Sequence, residues 1–303
     1  MISKYAYKDL IWVDLESPTE EEIIYIMEEF SIPVSVGEEL HTKNIQYKVE
    51  SYSDFIYMVL HFPKTSKSND EGLEQELDFI IGKNFLITTH YEFIESIHEF
   101  SKNFEVDTIL EKNIETDNAG FLFFKLVKTL YTNSRRQLHE INSLMKEIEN
   151  KIFSGKEGDM VRKISNINRM LLDFKQALRF HHGVLNSFEI SAKKFFGDRF
   201  SSYTENIISE YNKTQTILDG HKEILSDLRE TNDSLLANKT EQTMKKLTLI
   251  TFLISPVAVI SNIFVINSHF LKIETPGAYY WVLLLMIVTS IFAYIYIKSK
   301  KWL

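Results

Sequence analysis

The 303-residue sequence has no cysteine, which excludes a disulfide framework and any thiolate metal site. Proline is scarce: there are five, and none between Pro63 and Pro256. Because proline breaks helices, that stretch can form long uninterrupted ones. Positive charge is scarce as well, with 34 Lys and Arg against 42 Asp and Glu and a formal net charge of −8. It is also unevenly spread. The residues from Met244 onward hold six Lys and one Glu and carry +5, leaving −13 for the first 243. An acidic body of that kind repels nucleic acid and suits cations, so no nucleic-acid partner is expected. Also missing are a Gly-rich phosphate loop, a nucleophile elbow and an HExxH motif. His90 and His98 show no ligand spacing, and His181 and His182, as neighbours on a helix, point about 100° apart. Neither an enzyme nor a covalently held cofactor is expected. The N-terminal residues have no apolar core, so no signal peptide is expected there.

What the sequence does contain is two long apolar runs near its end. Residues 247–267 and 279–297 are free of charge, and about 20 apolar residues span a bilayer as helix. Tyr279, Tyr280 and Trp281 resemble an interfacial aromatic belt. Lys245 and Lys246 precede the first run, and Lys298, Lys300 and Lys301 follow the second. The connecting residues hold only Lys272 and Glu274. The positive-inside rule then puts both termini in the cytosol and the connection outside. The expected protein is a multi-pass protein of the cell (inner or plasma) membrane. It divides into an α/β cytosolic domain over residues 1–116, a long-helix region over 117–246 and a transmembrane domain over 247–303. The last comprises a first span at 247–267, an outer loop at 268–278, a second span at 279–297 and a basic tail at 298–303.

Within the first part, IWVDL reads as a strand. SPTEEE reads as a helix start with Ser17 as N-cap, Pro18 at the first helical position and Glu20 closing a capping box. Residues 55–62 (FIYMVLHF) and 77–90 (LDFIIGKNFLITTH) are strand-like, the second turning as a hairpin at Gly82-Lys83-Asn84. Residues 66–72 are a polar loop. Further on, helix formers predict helices over roughly 117–153, 158–196 and 201–267. In the last, Leu218, Leu225, Leu228 and Leu235 form a coiled-coil-like seam that asks for partners, hence an oligomer. The seam runs into the first span as a stalk.

Polar residues inside a span usually face a bundle interior or a water path. Steps of three and four from Met244 give Leu247, Thr251, Ser255, Ala258 and Asn262, so hydroxyls and an amide share one face. Two spans cannot enclose a path alone. Several copies around an axis would stack these groups into rings, whereas the plainer alternative is interhelical packing and hydrogen bonding.

The blocks WVDLESPTEEE, YKVESYSDFIYMVLHFP, QELDFIIGKNFLITTH, INSLMKEIENKIF and ANKTEQTMKKLTLITFLISP resemble the CorA-type divalent-cation transporters. So do the Asn-ended span, the short loop, the second span and the closing KSKKWL. The resemblance covers nearly the whole chain. It implies a funnel-shaped homopentamer in the lipid bilayer, with the first spans lining the pore and the α/β domain in the cytosol. Mg2+ or another divalent cation would be both substrate and regulator. Residue by residue, Val265, Ile266 and Asn267 stand where the family has Gly-Met-Asn, and form the outer selectivity ring. Ile266 matches a zinc-transporting branch with Gly-Ile-Asn. Thr251, Ser255, Ala258 and Asn262 line the pore, Met244 and Leu247 form the gate, and Glu241 sits at the cytosolic mouth in place of an Asn. Glu38 and Glu205 fall where the family has a regulatory metal, and Lys298, Lys300 and Lys301 form a basic ring. The alternatives are an effector channel gated by a small cytosolic ligand, such as a nucleotide second messenger, and a Zn2+ transporter.

Overall fold

A computed structural model of the chain describes residues 1–43, 46–64, 74–109, 118–267 and 276–299. It divides into two units, Met1–Arg229 and Glu230–Leu303.

The first unit is built on six strands: β1 (Ile2–Tyr7), β2 (Leu10–Glu16), β3 (Lys48–Ser51), β4 (Phe55–Pro63), β5 (Glu74–Gly82) and β6 (Phe85–His90). They form one sheet in the order β1-β2-β6-β5-β4-β3. Every pair is antiparallel except β2 with β6. The connection between that parallel pair runs through α1 (Glu20–Phe30) and α2 (Val34–Glu39) and then through β3, β4 and β5. All nine residues of β4 are buried. Its near-continuous apolar reading is that of a strand covered on both faces.

One face packs under α1 and α2, where Val13, Leu15, Tyr57, Val59, Ile80 and Ile87 meet Ile23, Ile26, Val36 and Leu40. The other face is aromatic. The Trp12 ring lies 5.4 Å from Phe100 and 6.0 Å from Phe104, both on α3 (Glu95–Ile109). Phe79 lies 5.2 Å from Phe123, which in turn lies 4.9 Å from Phe188. Those two residues belong to α4 (Ala119–Phe153) and α6 (His181–Phe196). The β5–β6 hairpin turns where expected. A Cβ on Gly82 would sit 2.3 Å from the Phe85 ring, so the close approach of that ring requires glycine.

Three details differ from the sequence expectations. The N-cap of α1 is Thr19, with Glu22 completing the capping box, rather than Ser17 with Glu20. Ser17 is still tied to the sheet: its N–H donates to the His90 carbonyl and its hydroxyl to Tyr91 O, so the helix begins two residues later. The helix expected over 158–196 is two, α5 (Glu157–Leu178) and α6. At the break, the Tyr47 hydroxyl lies 3.0 Å from Glu74 Oε2 and 3.3 Å from the Ala177 carbonyl, sharing its one proton between the carboxylate and an acceptor that a continuous helix would have used. There His181 turns inward, fully buried, with its ring against the Tyr131 hydroxyl and the His61 carbonyl, both at 2.7 Å. Burial lowers the His181 pKa to about 3, so the ring is neutral.

The third difference concerns the leucine seam. Leu218, Leu225 and Leu228 are buried within the single chain, so these three do not themselves call for a partner copy. They lie on α7 (Ser201–Asn267), whose first turns run along α4. Tyr203 packs on Phe121 and Phe124, and Arg135 Nη2 pairs with Glu210 Oε2 at 2.6 Å. α7 continues without interruption into the second unit, which also contains α8 (Pro276–Ser299).

Candidate pore-lining helix

The second unit is polar and charged at the start of its share of α7, then apolar. From about Leu247 its residues are large and aliphatic, and one helix of the described residues is long and apolar enough to cross a membrane. α8 has 24 residues, or about 36 Å at 1.5 Å per residue, against a hydrocarbon core about 30 Å thick. Tyr280 and Trp281 at its start are strongly exposed, as side chains are that meet lipid headgroups.

Within this unit the two helices pack by specific faces. On α8, Ala293 is buried and Val282, Met286 and Thr289 are half-buried, positions i, i+4, i+7 and i+11 of one stripe. On α7 from Leu247 onward, the half-buried residues are Leu249, Leu253, Pro256, Val257, Ile260 and Ser261. Pro256 shares a hollow with Val288, Thr289, Phe292 and Ala293. The small Ala293 lets the helices approach, as small residues do in membrane packing. Pro256 lies inside α7 and offers no N–H, so the Phe252 carbonyl lacks its usual partner.

The residues singled out for the pore lie elsewhere on α7. Met244, Leu247, Thr251, Ser255, Ala258 and Asn262 are all exposed in the single chain. At about 100° per residue they fall within roughly 40° of one line along the helix, and the α8-packed residues centre roughly 180° from it. The polar stripe is therefore turned away from α8, the other helix among the described residues of its unit. Thr251 Oγ1 donates to the Leu247 carbonyl at 3.0 Å and Thr248 Oγ1 to Met244 O at 2.9 Å. With the proton so used, each hydroxyl presents only lone pairs outward, which suits a cation or the water around one.

Glu241, also exposed, pairs with Lys245 one turn on, 2.8 Å away. The hydrogen bond from Lys245 holds its carboxyl below the ordinary value. Each Glu241 carboxylate is thus matched by a lysine on the same helix. Lys245 was not singled out as its partner, although the i,i+4 spacing signals it. The α8 stripe was also missed; its signal was Thr289 and Ala293, small residues four apart.

The remaining expected residues divide. Val265, Ile266 and Asn267 are the last three residues of α7, and their side chains lie outside the described residues. So do the connection over 268–275, Lys300, Lys301 and the polar loop expected at 66–72. Lys298 is exposed in the last turn of α8. Glu38 is exposed on α2. Glu205, exposed in the second turn of α7, borders a cleft with Arg135, His139 and Glu189. Among the described residues, no group of three or more His, Asp or Glu is placed to hold a metal ion.

Known proteins resemble this chain throughout. A family model described as CorA-like Mg2+ transporter protein matches residues 7–300. The cobalt/magnesium transport protein CorA of Methanocaldococcus jannaschii is 24% identical over 311 residues, covering all of this chain and 95% of that protein. The magnesium transport protein CorA of Helicobacter pylori strain J99 is 21% identical over 306 residues, covering 97% and 91%. Among solved structures, the complete CorA magnesium transporter from M. jannaschii aligns with a TM-score of 0.82 at 21% identity, over 97% of this chain and 92% of that one. The cytoplasmic domain of ZntB from Vibrio parahaemolyticus aligns with a TM-score of 0.60 at 12% identity, over 77% and 88%.

Proposed function

We propose that this chain, which belongs to the CorA-like Mg2+ transporter family, is one subunit of a homopentameric channel that passes divalent cations, Mg2+ foremost, down their electrochemical gradient. The observation that carries the reading is the exposed polar stripe on α7, opposite the face packed by α8. A hydroxyl and amide stripe in a lipid-facing position would be costly. Turned toward an axis shared by several copies, it becomes a wet, acceptor-rich path. The relatives named for magnesium transport support the choice of ion.

Mg2+ gives up its water reluctantly and usually keeps several water ligands. Rings of Asn262 and Asn267 amide oxygens would hold such an ion through those waters without stripping them. Thr251 and Ser255 would continue the path. Met244 and Leu247, apolar on the same line, would close it by dewetting. Glu241 with Lys245 would set the field at the cytosolic mouth. α7 and α8 would cross the membrane with both termini cytosolic, Lys245, Lys246 and Lys298 lying on the inner side. Glu38 and Glu205 would take part in a regulatory cation site between copies.

The test is Mg2+ uptake into liposomes that hold the purified protein and an enclosed Mg2+-sensitive dye. Robust uptake that Asn267→Ala sharply reduces is the expected result. An intact oligomer that passes no Mg2+, or uptake indifferent to Asn267→Ala, would overturn the reading of the ion or of the ring.

A further inference from the structure

The transport path leaves unused the hollow between α7 and α8. Phe252 and Pro256 of α7 face Val288, Phe292 and Tyr296 of α8 across a trough of about 770 Å3, which the buried Ala293 also lines. That volume lies within the range of sites that take a small ligand. The walls are aliphatic and aromatic. The Thr289 hydroxyl is spent within α8, donating to the Leu285 carbonyl at 2.9 Å with Met286 O at 3.0 Å. That leaves the Tyr296 phenol, at one end, as the polar group among the lining side chains. Such a trough suits a hydrocarbon chain.

Its two ends differ in charge. In the membrane orientation proposed above, Tyr296 is at the cytosolic end, two residues before Lys298. Phe252 and Pro256 lie about 7.5 and about 13.5 Å along α7 from Leu247, where the charge-free run starts. Half of a hydrocarbon core about 30 Å thick is about 15 Å, so the trough stays in the cytosolic half. Lys245 comes seven residues before Phe252, about 10.5 Å closer to the cytosol. At about 100° per residue it falls on the line midway between Phe252 and Pro256. Its ammonium meets Glu241 at 2.8 Å, both side chains being exposed. An ammonium has three donors, and an exposed pair of this kind is weak, so a second anion can share it. Lys246 adds another positive charge at the same level.

The position of the trough on α7 separates lipid from a second copy as its occupant. In a ring of five, each neighbour lies about 54° from the direction of the axis. The trough lies about 120° round α7 from the stripe of Thr251, Ser255 and Asn262. It therefore opens outward of the neighbouring α7, toward lipid. We propose that the trough binds an anionic phospholipid of the cytosolic leaflet, one acyl chain lying between Phe252, Pro256, Val288 and Phe292 and the phosphate resting on Lys245. The Tyr296 hydroxyl stands at headgroup level, as interfacial tyrosines do. The cytosolic leaflet is the one that carries a negative surface potential. The inference rests on the orientation and the ring of copies proposed above, not on which ion passes.

The test is native mass spectrometry of the full chain, stripped of lipid in detergent and titrated with phosphatidylglycerol or phosphatidylcholine of the same acyl chains. The wild type should bind phosphatidylglycerol at least about fivefold more tightly, the attraction of one lysine to an anionic headgroup. Lys245→Gln should remove about that factor. Lys298→Gln, about 150° round α8 from the trough, should leave the preference within about twofold. Val288→Trp fills the trough from an exposed position and should weaken both lipids. No preference in the wild type, equal falls in the two lysine variants, or a Val288→Trp variant that binds like the wild type would overturn the proposal. So would a Val288→Trp variant that stays helical but loses its assembly, because a second copy would then occupy the trough. The readout is bound lipid rather than flux, so failure of the lipid site and failure of the channel reading are told apart.

Discussion

Replacing Asn262 with Leu separates a path-lining stripe from a merely exposed one. Leu has the same γ-branched outline, although it is larger, and is a better helix former than Asn, so the helix should survive. What changes is chemistry at a position that is exposed and turned away from α8. If the amide ring holds the water shell of a passing cation, each copy loses an acceptor. A hydrogen bond involving a charged partner is worth about 1.5–3 kcal/mol net. Losing one such bond at the barrier, at about 1.4 kcal/mol per factor of ten, lowers flux roughly 10- to 100-fold. The control is the next residue. Ile263 is also exposed but lies about 100° further round the helix, so Ile263→Leu should leave flux within about twofold, since conservative apolar swaps cost little. Both variants would be assayed by dye-reported Mg2+ uptake in liposomes, after size-exclusion chromatography shows the assembly intact. Equal flux in wild type and Asn262→Leu, or equal losses in both variants, would refute the assignment of the stripe to the path.

Much of this was legible because the signals are local and strong. Charge-free runs of 21 and 19 residues locate the two terminal helices, and a 3.6-residue period places Thr251, Ser255 and Asn262 on one line. The strands of the hairpin around Lys83-Asn84 are legible for the same reason, with β-branched and aromatic residues on either side of a short turn. The misses arise where a distant contact decides between local options. Ser17 and Thr19 both offer a hydroxyl three residues before a glutamate. Only the hydrogen bonds from Ser17 to His90 and Tyr91 fix which one caps. Nothing in DFKQALRFHHGV breaks a helix. The break at residues 179–180 is set by Tyr47 and by the buried Tyr131–His181–His61 chain, from segments 50 to 130 residues away. The leucine seam is apolar as read, but Leu218, Leu225 and Leu228 are covered within the chain itself, since periodicity shows that a face must be covered but not by what.

Two further consequences concern the first unit. The Arg135–Glu210 pair is mostly buried, with side-chain exposures of 19% and 10%. Arg135→Ala should cost about 3 kcal/mol, the low end for breaking a buried pair, because Lys213 still reaches Glu210 at 2.8 Å. At about 2–4 °C per kcal/mol for a unit of this size, the apparent melting temperature should drop by roughly 6–12 °C. A drop within about 2 °C would mean the pair is solvent-screened. The last consequence concerns pH. His90 is buried, with one ring nitrogen 2.6 Å from the Glu92 carbonyl and the other 3.3 Å from Asp14 Oδ2. Both partners are acceptors, so the ring satisfies both only as an imidazolium. Burial opposes that charge, but the bonds to Asp14 and Glu92 outweigh it and raise the His90 pKa above its usual value. A raised value means the stabilisation is complete below the unfolded pKa of about 6.5 and disappears as pH climbs through the folded one. Asp14→Asn removes the anion that raises it. The variant should lose part of its stability at about pH 6 and none in excess of that at alkaline pH, where the wild-type ring is already neutral. A stability loss independent of pH would show instead that Asp14 acts only through its hydrogen bond from Thr88, which the neutral ring leaves intact.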